Sequence, residues 1–384
     1  MNTVRSIACL GALCGAVDIQ GGDLWPEKMG ERDLNLYAEL PLTDQEPVGA
    51  GKFPVLYKFT RDCHTMTAMD YMLGNSGYPI RALILAGGNP ANTNPNSEKV
   101  ARAFSSLDLL VVRELFMSET ARLAHYVLPA ASFLERSELH FYDHYQWISL
   151  TKKILEIPGV TDEYSFWHDL AHRLGFGEKH FPWKTETEVN RWLLEPTGIT
   201  LEKLTEHPEG LCYKPVRHRK FLEQPFPTPS GKFEFTSDYL KSLGFSALPE
   251  YIEPLYLRRS SAAFPLILIT GARKIPYLHS RFRNIPRLHR RHPRAEVEIH
   301  PEDARKLDIH SNDQVRIVSE IGSIIVPARI VQATEIRAGV IQVTHGWVKE
   351  HNINRITYDL VNDPLSGFPQ ITSVPVRVER IEPS

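Results

Sequence analysis

At 384 residues, with 42% hydrophobic and 23% charged residues, the chain has an ordinary globular composition and enough length for two or three domains. A formal net charge of −2 supplies no overall field toward nucleic acid or an anionic membrane, so any anion must be bound by local charge. Four cysteines, Cys9, Cys14, Cys63 and Cys212, include no CxxC pair, which excludes a disulfide framework and a self-contained zinc or iron–sulfur site.

The opening MNTVRSIACLGALCGAVDIQGG has an apolar run without a small-residue cleavage site, and no later stretch reaches the length of a membrane helix. A soluble, cytoplasmic chain without a membrane span is therefore expected. The adjacent Cys63 and His64 read as residues packed at a loop or helix start rather than as a nucleophile pair. From Ile80 to Ala130 short apolar runs alternate with helical segments. The expected elements are a strand over Ala82 to Ala86, a loop at Gly87 and Gly88, and a helix capped by Asn94 with Pro95 at its first position. A second strand follows in LDLLVVR, then a short helix capped by Ser118, and a third strand in YVLPA. Such strands are buried on both faces and hence parallel, with ligand-bearing loops at their carboxyl ends.

Helices are expected over Asp162 to Leu174 and Glu186 to Leu194. Residues 196 to 263, rich in Pro, Gly and charge, read as a connector. Beyond Phe264 the pattern turns to alternating strands in FPLILITG, AEVEIHP, DQVRIVS, GSIIVPARIV, GVIQVTHG and VPVRVERI, with a brief helix in PEDARKLDI. Six strands with so little helix predict a closed barrel. The basic run Arg283, Arg287, Arg290, Arg291 and Arg294 lacks interleaved aromatics and reads as a solvated or subunit-facing loop. No GxSxG, HExxH or phosphate-binding loop occurs.

Several separated segments, in order, resemble the molybdopterin oxidoreductase (dimethyl sulfoxide reductase) family. They are AGGNPANTNPN (Ala86 to Asn96), VVRELFMSETARLAHYVLPAASFLE (Val111 to Glu135), TPSGKFEF (Thr228 to Phe235), ITGARKIPYLHSRFRNIP (Ile269 to Pro286), and HGWVKEHNINRITYD with NDPLSGFPQ (His345 to Gln370). The HSRFRNIP loop and NDPLSGFP tail are most similar to its acetylene hydratase-like branch. The resemblance implies a partial doubly wound parallel-sheet α/β domain over 1–195, a connector over 196–263, and a six-stranded double-psi barrel over 264–384 that binds molybdopterin dinucleotide. It also implies a C-terminal half: the metal-ligand and iron–sulfur segments are expected outside these residues, and the chain alone is expected to be inactive.

The implied cofactor is molybdopterin guanine dinucleotide with molybdenum or tungsten, shared with a ligand-bearing half or chain. An iron–sulfur electron-transfer subunit is a further implied partner. In the α/β part the expected contacts are Gly88, Asn89, Pro90, Glu114, Phe116, Ser118 and Thr120. In the barrel they are Thr270, Gly271, Arg273, His279, Ser280, Arg281, His345, Trp347, Asn352 and Asn354. Taken alone, GGNP reads as a turn, Ser118 as a helix cap, and the barrel amides as satisfied core groups. His125 stands where many members have Asp and receives no role. Two other readings stay open: a non-catalytic pterin-dinucleotide-binding subunit or relic, and a barrel used for protein recognition.

Overall fold

The computed structural model describes residues 1–35, 46–75, 77–253, 259–271 and 277–382. Contacts divide the chain into two compact units, Thr43–Leu128 with Glu253–Ser384, and Met1–Leu42 with Pro129–Ile252. This division crosses the linear boundaries drawn at 195 and 263, because residues 129–252 build a core of their own.

In the first unit, β1 (Ala82–Ala86), β2 (Leu109–Glu114) and β3 (Tyr126–Pro129) form one sheet in that order. β1 and β2 are parallel, with Ala82 opposite Leu109 and Ala86 opposite Arg113. Side chains alternate across a strand, so Leu83, Leu85, Leu110 and Val112 share one face. The helices Thr65–Met72 and Ser97–Ser105 cover that face with Met66, Met69, Val100, Ala103 and Phe104. On the other face Ile84 and Val111 stay half-buried and Leu109 is exposed.

Two helix starts differ from expectation. The cap is Asn96, not Asn94: Asn96 adopts a left-handed backbone at φ 49° and accepts from Lys99 N at 3.3 Å. Its Nδ2 also donates to Asp359 Oδ1 at 2.8 Å, which holds it there, while Pro90 starts a separate turn over Pro90–Thr93. The helix expected after Ser118 shrinks to a 3-10 turn, Ala121–Leu123, and Asn89 Oδ1 accepts from the Thr120 N–H ahead of it.

The second unit holds an antiparallel sheet that the sequence reading missed. Its strands are β4 (Glu138–Tyr142), β5 (Trp147–Thr151) and β6 (Leu211–Cys212). Ile148, Leu194, Leu201 and Leu204 fill its core with Met29. Helix Glu163–Arg173 is capped by Asp162, which accepts from Ser165 N at 2.8 Å, and helix Glu186–Leu194 is capped by Thr185. Both helices lie where the periodicity predicts. The stretch read as connector supplies β6, the helix Leu201–Glu206 and a buried ion pair, with Lys220 Nζ donating to Asp18. Asp18 Oδ2 also accepts from Lys220 N at 2.6 Å.

Back in the first unit, β7 (Leu266–Ile269), β8 (Val297–Ile299), β9 (Gln314–Val318), β10 (Ser323–Ile330), β11 (Val340–Val343) and β12 (Val374–Arg380) close into a barrel. Its order is β10-β8-β11-β7-β12-β9. β8 pairs in parallel with β10, and β7 with β11, while the remaining pairs are antiparallel. In sequence the β8–β10 pair, with β9 between its strands, is nested inside the β7–β11 pair, and the closed six-stranded arrangement is that of a double-psi barrel. Val297, Ile299, Val315, Ile317, Val326, Ile341, Val343, Val374 and Val376 form its interior, all fully buried. Among the described residues no helix is long and apolar enough to cross a membrane.

Candidate functional site

A cleft of about 640 Å³ opens within the first unit. Gly87, Gly88 and Asn89 reach it from the carboxyl end of β1 and Glu114 from the end of β2, as expected for loops of a parallel sheet. His279, Ser280 and Arg281, which follow β7, enter from the barrel. The segments Asp62 to Met66, Thr93 to Pro95 and Ser366 to Pro369 also line it, with Leu56 and Ile371. Gly87 has φ +66°, which favours glycine, and a side chain there would project into open space. Its N–H donates to Arg113 O at 3.0 Å, so the turn is tied to β2.

Asn89 spends its amide on the protein. Nδ2 donates to Glu119 Oε2 at 2.8 Å, and Oδ1 accepts from Thr120 N at 3.1 Å and Thr120 Oγ1 at 3.0 Å. Thr120 Oγ1 in turn accepts from Ala91 N at 3.0 Å, and Thr120 is fully buried. Asn89 and Thr120 thus lock the loop after β1 to the loop after β2. Pro90 opens the turn that follows, and Ser118 Oγ accepts from Ala121 N at 3.3 Å. Glu114 accepts from Leu115 N through Oε2 at 2.7 Å and keeps Oε1 for another donor. Phe116 is 63% exposed beside it. His125, left without a role, accepts a β2 N–H: Leu110 N lies 2.9 Å from its Nδ1.

On the barrel side Thr270 is buried, and Gly271 has φ +56°, with no room for a Cβ against Gln342. Arg273 lies outside the described residues. His279 Nδ1 and His345 Nε2 are 2.9 Å apart, one nitrogen donating and the other accepting. Arg281 is exposed at the cleft.

Asn352 and Asn354 turn inward. Asn352 Oδ1 accepts from Asn354 N at 3.0 Å, Asn354 Nδ2 donates to Asn92 O at 2.8 Å, and Thr357 Oγ1 donates to Asn354 Oδ1 at 2.8 Å. Asn92 Nδ2 donates to Trp347 O at 2.7 Å. These buried groups join the turn Pro90–Thr93 to the barrel, and all the bonds above are made within the cluster, while Asn92 Oδ1 is buried without a partner. They and Trp347 are absent from the cleft lining, so the expectation of satisfied core amides describes their placement.

Two contributors escaped the sequence reading. His64 caps helix Thr65–Met72, accepting from Thr67 N through Nδ1, while its Nε2 donates to Gly367 O at 2.7 Å. Burial lowers its pKa below the ordinary 6.5, outweighing the hydrogen bond to Gly367. His64 stands at a helix start as expected, whereas the Cys63 thiol, expected to be packed, is exposed. Arg283, read as part of a solvated or subunit-facing loop, packs between aromatic rings, 4.0 Å from the Trp347 centroid and 4.9 Å from that of Tyr277. Desolvation brings its pKa down to about 10. Arg283 lies inside the segment ITGARKIPYLHSRFRNIP, but its packing was not legible there, because one ring lies six residues before it and the other 64 after.

Residues 43–170 match the model of the Molybdopterin oxidoreductase family, and residues 266–375 that of the Molydopterin dinucleotide binding domain. The chain belongs to the molybdopterin oxidoreductase family. Among its relatives, the probable oxidoreductase YyaE of Bacillus subtilis is 29% identical over 376 residues, covering 94% of this chain and 53% of the relative. The F420-dependent formate dehydrogenase subunit alpha of Methanocaldococcus jannaschii is 31% identical over 322 residues, covering 81% and 45%. The structure of acetylene hydratase from Pelobacter acetylenicus superposes with a TM-score of 0.78 at 24% identity, covering 87% of this chain and 52% of that one, and so shares its fold. The chain spans about half the length of the relatives it matches.

Proposed function

We propose that this chain holds the guanine dinucleotide of a molybdenum or tungsten bis-pterin oxidoreductase, with the metal's protein ligand supplied by a separate half or chain. The observation that carries the reading is the convergence of Gly88, Glu114, Ser280 and Arg281 on one cleft from two differently built walls.

The chemistry of these groups fits the dinucleotide. Glu114 Oε1 can accept the N–H groups of a guanine edge, and the exposed Arg281 guanidinium can donate to pyrophosphate oxygens in charge-assisted bonds. The open space beside Gly87 lets a ligand approach the backbone closely. Ser280 adds a hydroxyl, and His279 one edge of a ring pair. Asn89 and Thr120 position the Gly88 turn, and Asn352 and Asn354 hold the barrel against it. When bound, the metal and its dithiolenes supply the redox or atom-transfer chemistry. This chain contributes binding and orientation, and alone it is inactive. An iron–sulfur electron-transfer subunit is the further partner this reading proposes.

The test is metal, pterin and guanine-nucleotide analysis of the chain purified alone and after co-production with the ligand-bearing chain. Molybdenum or tungsten with guanine nucleotide is expected in the co-produced material, reduced in Glu114→Gln and Arg281→Ala. Their absence from both preparations would overturn the cofactor assignment.

A further inference from the structure

The loop 362–369, at the rim of the cleft, is fastened from two sides. Within it, Asp363 N donates to Phe368 O at 2.8 Å and Gly367 N to Asp363 O at 2.8 Å, while Asn362 bridges to Pro369 across the base. Asp363 Oδ1 accepts from Leu365 N at 3.0 Å, Ser366 N at 2.8 Å and Ser366 Oγ at 3.0 Å. Outside it, His64 Nε2 donates to Gly367 O at 2.7 Å. Gly367 has φ +70°, and a Cβ on it would lie 2.7 Å from His64 Cδ2 and 3.2 Å from Phe53 Cγ, so glycine lets the loop come this close. His64 is itself held, its backbone N–H donating to Val48 O at 3.0 Å and its ring centroid 4.2 Å from that of Phe53. Leu365 and Gly367 are buried.

Phe368 stands next to these anchors. Its N–H donates to Ser366 Oγ at 3.3 Å, so its backbone is bonded at both ends, yet its side chain is 63% exposed and lines the cleft. One exposed apolar side chain is ordinary on a protein surface; its place in the cleft sets this one apart. Among the described residues that line the cleft, Phe368 is the only phenylalanine, tyrosine or tryptophan. Glu114, Ser280 and Arg281 can take the polar edge and the charge of a ligand, which leaves its ring faces to be matched. A phenyl ring on a fixed loop supplies a flat apolar surface, and two side-chain torsions are all that binding must freeze.

We propose that Phe368 is a ligand-contacting residue whose ring packs on the face of a fused nitrogen heterocycle in the cleft, and that the fastening of loop 362–369 keeps it there. Stacking needs no hydrogen-bond match, so it adds affinity without competing with Glu114 for the edge of the ring. The cofactor proposed above carries two such heterocycles, a guanine and a pterin, and the same chemistry recognises either. The ligand's identity rests on that proposed function. The preference for a planar ring rests on Phe368 itself, on its exposure in the cleft and its anchored loop.

The experiment is calorimetry of the full chain with GDP, with neopterin and with inorganic pyrophosphate, for the wild type, Phe368→Ala, Phe368→Leu and Phe368→Tyr. Thermal unfolding of each variant reports the fold. If guanine is the stacked ring, Phe368→Ala and Phe368→Leu are expected to weaken GDP binding about tenfold. Phe368→Tyr, which keeps a ring, is expected to retain it, and pyrophosphate binding to stay unchanged. If pterin is the stacked ring, the same pattern is expected for neopterin, with GDP binding indifferent to all three variants. Wild-type affinity for both heterocycles in Phe368→Ala would overturn the proposal and leave the dinucleotide reading standing. Wild-type affinity in Phe368→Leu would overturn stacking in favour of a plain apolar contact, and a loss in Phe368→Tyr equal to that in Phe368→Ala would overturn it as well. So would a loss of pyrophosphate affinity as large as that of the heterocycles, since the residue would then act on the frame of the cleft. If Phe368→Ala does not fold, Phe368→Leu decides by the same criteria. Neopterin binding that depends on Phe368, without GDP binding to the wild type, would support stacking and count against the dinucleotide reading. Binding of neither heterocycle to the wild type would overturn both.

Discussion

The barrel and the three-stranded sheet β1-β2-β3 both supply walls to the cleft, yet they reach stability in different ways. Every barrel strand finds a partner on both sides, and nine interior Val and Ile residues are fully buried. In the sheet β1 has no fully buried residue: Leu83, Ile84 and Leu85 are half-buried and both ends are exposed. Closure satisfies a barrel's edges and its inner face together, whereas an open sheet depends on whatever packs against it. The difference teaches that the barrel can act as a rigid platform, and that the sheet needs cross-links such as Asn89 to Thr120 to hold its loops.

Truncation should expose that contrast most strongly. Ile341→Ala in the barrel is expected to cost about 2 to 5 kcal/mol, while Ile84→Ala on the less covered face of β1 should cost well under half as much; urea unfolding of the two variants measures the gap. Equal losses would mean that the sheet is as closed as the barrel. Next in size, Asn354→Ala leaves the Asn92 carbonyl and the Thr357 hydroxyl without partners and should destabilise by about 1 to 3 kcal/mol. Guanine-nucleotide affinity is expected to follow only the folded fraction, so a selective affinity loss in a fully folded variant would place Asn354 in contact with ligand.

Acid should act on the segment opposite Gly87. The folded protein keeps His64 neutral below its unfolded pKa of about 6.5. The unfolded chain therefore binds a proton first as pH falls, and the stabilisation, complete above that value, is lost as pH drops toward the depressed folded pKa. His64→Asn retains a capping acceptor and should flatten this limb of the stability profile, read by thermal unfolding between pH 7.5 and 5. An undiminished slope would assign the acid sensitivity elsewhere. Smallest in stability is Glu114→Gln, expected to shift unfolding by no more than about 0.5 kcal/mol while weakening guanine-nucleotide binding roughly tenfold, about 1.4 kcal/mol. A stability loss without weaker binding would make Glu114 part of the frame.

Legibility followed the range of the interactions involved. The six barrel strands, β1 and β2 could be read directly, since alternation and apolar runs are properties of neighbouring residues. The sheet Glu138–Tyr142 with Trp147–Thr151 went unread although its alternation is present, because residues up to 195 were assigned to the α/β layer. The ends of β1 and β2 bring Gly88 and Glu114 to the cleft. The protein partners of the Asn89, Asn352 and Asn354 amides were not legible: an amide reads the same whether it meets a ligand or a backbone carbonyl 262 residues away.

Local chemistry therefore determined the barrel strands, the loops after β1 and β2, and the family to which the chain belongs. Tertiary structure alone decided which polar groups remain available. Thr120 and the carbonyl of Asn92 consume the amides of Asn89 and Asn354, while Glu114 Oε1 and Arg281 keep their hydrogen-bonding capacity. It also set Arg283, read as part of a solvated or subunit-facing loop, between the Tyr277 and Trp347 rings. Hydrogen-bond capacity belongs to a side chain, but its use depends on what the fold brings within about 3 Å.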